Sequence, residues 1–402
     1  MAKRKASNRN KNLEKLVSVV SLLALICCWY LGGQRADTSQ MRFFADFLTQ
    51  GESVVEVAPQ LFKIVNDSEA KPQASKWVSF GSGIGYGGAL SVATVFLPDD
   101  KLHTIALLSS KETAPYFAKV SEEKLPNALL GQSAKQAFSH DGVTGATLTS
   151  QAYISAVDSA ADLLRQHKFG YSLFEPTSPW QQLQWLDAAA VVFFIAAVAL
   201  NRSRSKHKAK LNAGLLLGST LVFGFYSASL YSVSTIGGMI GGAWLMGVAN
   251  YTPFILLGLS IVYIGYYNRN IYCQSLCPFG AVQQCLAKVG NAKSSPIRQP
   301  FFIWFPRLLL LVTLCMGAYF RSPAAFIYEP FGIAFGMIGG IYLFVLTIVI
   351  VLTSLVVRRP WCQSLCPINA MTDFIVFNKN WLKQIRSQRS KKRPHIQKAK
   401  EA

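Results

Sequence analysis

The chain has 402 residues, is 51% hydrophobic and only 15% charged, and carries a formal net charge of +20. Its apolar residues gather in blocks of roughly 20, which excludes an ordinary soluble globular protein. Those blocks cut the positive excess into short runs, which excludes the continuous basic face of a nucleic-acid-binding protein. The charge is also uneven. Residues 34–182 hold 15 acidic and 12 basic side chains, and the rest of the chain holds 5 and 28. A balanced soluble domain therefore interrupts a membrane chain, and the basic loops and tails are expected on the cytoplasmic side.

Residues 1–15 form a basic cytoplasmic N-terminus with Lys3, Arg4, Lys5, Arg9, Lys11 and Lys15. Residues 16–33 are free of charge and long enough to span. The run ends in Cys27-Cys28-Trp29-Tyr30 rather than an Ala-x-Ala site, so an uncleaved anchor is expected over a signal peptide. Cys27 and Cys28 read as small packing residues. Residues 34–182 are then an extracytoplasmic α+β domain, with a core over about 80–168, inserted between the first and second transmembrane helices. Gly81–Gly88 is glycine-rich. Val92–Leu97 and His103–Leu108 predict two strands joined by a turn at Pro98–Lys101, and Ala152–Arg165 has helical spacing.

The second span is expected over 183–200, with Asp187 near its outer edge and the basic run Arg202–Lys210 as its cytoplasmic stop. The third and fourth occupy 211–267, about 211–231 and 249–267, around the glycine-rich stretch 236–242. The fifth and sixth occupy 301–357, about 301–320 and 336–357. A tail over 379–402 holds nine Lys/Arg against one Glu and reads as disordered or facing lipid headgroups. Six transmembrane helices result, with both termini cytoplasmic.

The same hexapeptide occurs twice, as Cys273-Gln-Ser-Leu-Cys277-Pro278 and Cys362-Gln-Ser-Leu-Cys366-Pro367. Each copy follows a span, and the preceding elements repeat in the same orientation. This implies a pseudo-twofold axis along the membrane normal that brings the copies together on the cytoplasmic face. Cytoplasmic thiols stay reduced, which argues against a structural disulfide. Cys273, Cys277, Cys362 and Cys366 make four thiolates, the usual complement of an iron–sulfur cluster, with 4Fe-4S as the expected type. Packing cysteines, a dithiol redox pair and a structural zinc site remain alternatives. Pro278 and Pro367 are expected to start helices, with the cysteines in the turn before them. Cys285 reads as a spare and Cys315 as a packing residue. None of the five histidines, at 103, 140, 167, 207 and 395, lies in a span, so a bis-His haem has no ligands there. Arg307 and Glu329 are charges at span edges. They are functional candidates, or a snorkelling Arg and a solvated Glu.

In the soluble domain, Asp141-Gly-Val-Thr144-Gly145-Ala146-Thr147-Leu-Thr149-Ser150 stands before the predicted helix. On its residues alone it is a Ser/Thr-rich turn with Thr149 or Ser150 as N-cap. The segment Gly85–Leu164 resembles the FMN-binding domain of RnfG, NqrC and NosR-type proteins. That resemblance implies FMN joined by a phosphoester to Thr147 by a flavin transferase, with Asp141, Thr144, Gly145 and Ala146 as recognition context. Glu112 and Thr113 match the family's Glu-Thr turn more loosely as flavin-pocket candidates. From about residue 60 to 375 the chain resembles NosR/NirI-type membrane flavoproteins, whose two Cys-x-x-x-Cys-Pro motifs are shared with NapH. The Cys-x-x-Cys-x-x-Cys runs of the longer members do not occur in this sequence, which leaves the donor open.

The combined reading is a transmembrane electron conduit between a cytoplasmic-side cysteine centre and an external FMN. A ferredoxin-like protein or a membrane quinol is the expected donor, and an external acceptor receives the electrons. The alternative is a redox-sensing regulator or maturation factor. A bilayer core of about 30 Å lies between the two ends in this reading, and the sequence offers no third cofactor site.

Overall fold

The computed structural model describes residues 2–37, 39–66, 75–112, 114–122, 124–175, 183–292, 300–337 and 339–398. The chain opens with a long helix, α1 (Ala2–Asp37), followed by α2 (Ser39–Phe47). An antiparallel five-stranded meander comes next, in the order β1 (Glu52–Ala58), β2 (Leu61–Asn66), β3 (Lys76–Ile84), β4 (Ala89–Phe96) and β5 (Leu102–Ser110). Two short helices, α3 (Ala114–Glu122) and α4 (Leu125–Leu129), lead to α5 (Thr147–Phe169). The two strands and the helix expected from the sequence are β4, β5 and α5. The first three strands and α2 carry weaker alternation and were not expected.

The sheet is sandwiched. On one face α5 lies across β3 and β4, and its Tyr153, Ala156, Val157, Ala161 and Leu164 join Leu90, Val92 and Phe96 in one core. Gly81 and Gly83 alternate along β3 and so share one face, with Gly85 just past the strand's end. A Cβ at Gly81 would lie 2.2 Å from the Ala156 carbonyl oxygen, and one at Gly83 would lie 1.9 Å from that of Ala152. The glycine row therefore lets the helix press directly on the strand. On the other face Phe43, Phe44 and Phe47 of α2 pack against Phe62 and Phe80.

The second half is helical. Its elements are α6 (Trp185–Arg202), α7 (Lys208–Ser219) with a π-helical continuation over Thr220–Tyr226, α8 (Val233–Ile240), α9 (Ala243–Met246) and α10 (Thr252–Tyr267). Then follow α11 (Ile271–Ser275), α12 (Pro278–Val289), α13 (Pro300–Tyr319), α14 (Phe331–Gly336), α15 (Ile341–Ser354), α16 (Pro360–Ser364) and α17 (Pro367–Lys398). Among the described residues, three helices are long and apolar enough to cross a membrane: the run Asn12–Phe47, α6 and α13. The apolar helices α10 and α15 are shorter, and α7 gains its length through the π-helical segment. A helix, a short helical connection (α8 and α9 in the first copy, α14 in the second), a helix, a cysteine turn and a helix occur twice in that order, matching the sequence repeat.

Contacts fix the direction of each helix. Thr252 Oγ1 donates to Asp187 at 2.6 Å where α10 begins, and the Ala249 amide donates to Gly85 O at 3.0 Å, so this end abuts the α+β domain. At the distal end Asn201 donates to Tyr263 Oη at 2.8 Å and Arg202 meets Tyr267. The chain then turns back. Lys379 Nζ donates to Asn268 Oδ1 at 2.9 Å, so α17 returns to the distal level twelve residues after it starts. At 1.5 Å per residue, the turn before Pro367 sits about 18 Å inside that level. Both hexapeptides fold back against the bundle, where Leu276, Cys277, Phe279, Trp361 and Cys366 are buried with Phe194, Phe223 and Tyr231.

Candidate cofactor sites

Each cysteine pair is held by the same local device. Cys273 lies in the single turn of α11 and Cys362 in that of α16, while Cys277 and Cys366 stand immediately before Pro278 and Pro367. Proline cannot donate a backbone hydrogen bond, so it starts α12 and α17 and ends the turn before them. Cys277 is the N-cap of α12, and its Sγ accepts from the Gly280 amide at 3.4 Å. The repeat brings the pairs together. Cys273 lies within electrostatic reach of Cys277, Cys362 and Cys366, and Cys366 of Cys362 and Cys277.

Hydrogen bonds knit one repeat to the other around these thiols. Gln283 of α12 accepts from the Trp361 amide at 3.1 Å, and its Nε2 donates toward Cys362 Sγ at 3.7 Å. Arg359 donates to Cys273 O at 3.3 Å and to Gln284. In the related place on the other side, Asn270 donates to Thr372 Oγ1 at 3.2 Å and to Tyr231 Oη at 3.1 Å. Among the described residues, no three Cys, His, Asp or Glu side chains converge as a single-ion shell. The site also holds two buried donors without a hydrogen-bond partner among the described residues, Tyr272 Oη and Trp361 Nε1.

The other cysteines lie elsewhere. Cys285 is exposed on α12, and Cys28 and Cys315 face each other across α1 and α13. Arg307 pairs with Asp373 at 3.2 Å and Glu14 at 3.9 Å. These three edge an apolar cavity of about 660 Å³ between α1, α13 and α17, walled in part by Ala370 and Met371. Glu329 is not a solvated charge. It is buried, and its carboxylate accepts the Val233 amide at 3.0 Å and 3.1 Å.

In the α+β domain, Thr147 is the exposed first residue of α5. Gly145 turns the chain with φ +79°, a left-handed conformation that costs glycine little. The N-cap is Ala146, whose side chain makes no capping bond. Ser150 Oγ instead accepts the Val143 amide at 3.0 Å and donates to Ala146 O at 2.9 Å, bracing the loop from behind. Thr149 Oγ1 donates to Glu112 at 2.9 Å, so neither residue is the expected N-cap. Thr147 is thus exposed at the N-terminus of a 23-residue helix, an end whose dipole suits a phosphate. Asp141 and Thr144 are also exposed, and Thr113 lies outside the described residues. Glu112 is buried, and its other oxygen accepts the Gly87 amide at 3.3 Å, tying the glycine loop to α5. Arg165 is wholly buried and was not singled out by the sequence. It bonds Asp158, Asp162 and the carbonyls of Ala134 and Gln136, anchoring the chain that leads to Thr147.

The two sites are joined. Tyr86 Oη donates to Ala228 O at 3.0 Å, just past the π-helical segment. Pro278 packs against Gly224 of that segment, Gly224 against Phe335, and Gly336 lies against Tyr116 of the α+β domain. Phe279 meets Phe331 of α14 with ring centroids 5.4 Å apart. Burial pushes the Tyr86 phenol up, with Tyr116 and Glu112 adding to it, and burial then Glu112 push Tyr116 up, so both stay protonated donors.

Comparison with known proteins fits this geometry. The FMN-binding domain family matches residues 85–162. The 4Fe-4S binding domain family matches twice, over 249–296 and 339–387, once on each cysteine repeat. The "Regulatory protein NosR" of Pseudomonas aeruginosa is 26% identical over 176 residues, covering 40% of this chain and 25% of its own length. These matches fit a NosR/NirI-type FMN-binding membrane protein. The chain spans about a quarter of that NosR, and it joins an FMN-binding domain and a 4Fe-4S binding domain in one membrane-associated protein.

Proposed function

We propose that the chain conducts electrons between the four-cysteine site and FMN carried on Thr147, delivering them to an extracytoplasmic acceptor. In this reading it is a multi-pass protein of the bacterial inner membrane, with both termini cytoplasmic and the FMN domain outside. Cys273, Cys277, Cys362 and Cys366 would hold an iron–sulfur cluster, and a flavin transferase would esterify Thr147. Bound there, the cluster supplies one-electron and the flavin two-electron chemistry. The observation that carries this reading is the packed path from Pro278 through Gly224, Phe335 and Gly336 to Tyr116. The cysteine turns are buried in the bundle at one end of this path, which supports a route shorter than the full bilayer core of about 30 Å. Of the two donors, the cavity by Arg307, Asp373 and Glu14 favours a membrane quinol. It is apolar and of ligand size, and its wall at Ala370 and Met371 follows Cys366 by about one helical turn.

An absorption spectrum, metal analysis and intact mass test the two sites together. A covalent FMN mass increment is expected, abolished by Thr147→Ala, and iron and sulfide are expected to be lost in Cys273→Ser or Cys366→Ser. A reduced quinol analogue should then bleach the flavin. The name of the NosR relative, a regulatory protein, favours one other reading, a regulator whose redox state a partner senses. A fully loaded protein whose flavin never bleaches with quinol or reduced ferredoxin would leave that reading and sink the conduit.

A further inference from the structure

The residue before the first cysteine of each motif is a large aromatic donor, Tyr272 before Cys273 and Trp361 before Cys362. The two occupy equivalent places in the repeat, and both are about 1% exposed. Both carry a buried polar hydrogen that meets no acceptor among the described residues. A buried unpaired donor costs free energy, and native proteins keep few of them. Two at related positions beside one site point to a shared acceptor in that site. Tyr272 lies in the same buried cluster as Cys277, Cys366 and Trp361, and Cys273 packs against that cluster. Its ring is fixed by Tyr231, with centroids 4.1 Å apart, while Trp361 is fixed by Phe279 and Tyr328.

We propose that Tyr272 Oη and Trp361 Nε1 donate hydrogen bonds to the inorganic sulfur of the cluster held by the four cysteines, and so set its reduction potential. This rests on the iron–sulfur reading of the site. Donors to cluster sulfur favour the more negative, reduced form and raise the potential. The thiol ligands hold the irons, and these two side chains are positioning residues that act on the core the thiols enclose.

The test compares Tyr272→Phe, Trp361→Phe and wild type in the iron-loaded full chain by redox titration followed by electron paramagnetic resonance. Each variant is expected to keep its iron and to lower the reduction equilibrium by about tenfold, a fall of 59 mV for a one-electron couple. In the metal-stripped full chain Tyr272→Phe is expected to melt no lower than wild type, because it removes a hydroxyl that has no partner there. A potential unmoved by Tyr272→Phe overturns the proposal, as does a lower melting point of the stripped protein with no shift in potential. A shift in Tyr272→Phe alone overturns the twofold part. Wild type that purifies without iron and sulfide overturns the underlying reading, whereas loaded wild type with indifferent variants overturns only this one.

Discussion

At the scale of single residues, Glu112 shows how one buried side chain organises a site it need not touch. One carboxylate oxygen takes the hydroxyl of Thr149, and the other takes the amide of Gly87. Replacing it by alanine leaves Thr149 without that acceptor. Glu112→Ala is expected to cost about 1–3 kcal/mol, read as a lower thermal midpoint, and to reduce FMN loading on an otherwise intact Thr147. The sequence pointed to Glu112 only through a loose family match. Its two partners lie 25 and 37 residues away, a separation that no local pattern reports. Thr147 was singled out because its motif is contiguous. Arg165 was not, because an arginine on a helix reads as exposed until its four partners are seen.

At the scale of elements, the glycine row of β3 sets where α5 starts and therefore where Thr147 stands. Gly83→Val would drive a side chain into the Ala152 carbonyl, and overpacking of this kind costs about 1–3 kcal/mol or more. It is expected to lower the domain's melting temperature and abolish flavin attachment. Gly142→Ala, whose Cβ would meet nothing nearer than 3.5 Å, is expected to do neither. Circular dichroism melts with intact mass decide both. The glycines were visible in the sequence as a loop-like cluster, and only strand pairing shows that Gly81 and Gly83 share one face. The cysteine turns teach the same lesson. Hydropathy predicted the blocks before each hexapeptide, and the proline rule predicted where α12 and α17 start. Hydropathy does not report that a chain leaving a span folds back beside it. That follows from pairings such as Lys379 with Asn268, 111 residues apart.

At the scale of the whole molecule, the FMN domain is seated on the bundle rather than tethered above it. Tyr86 and Gly85 bond Ala228 and Ala249, and Tyr116 rests on Gly336. Gly336→Trp would place an indole where Tyr116 now lies. In the conduit reading, both cofactors load normally in this variant while quinol-driven flavin bleaching slows. Stopped-flow absorbance measures it, and bleaching at the wild-type rate would show that the contact carries no electrons.

The cysteine turns have a consequence for how the protein is made. Each repeat contributes two of the four thiols, and the turns are closed in by Phe279, Trp361, Tyr231 and the helices around them. Neither half contains a complete site, so the chamber exists only once the second repeat has closed on the first. A chain that ends before residue 339 would make the FMN domain and half of the chamber wall, with nothing to hold the rest shut.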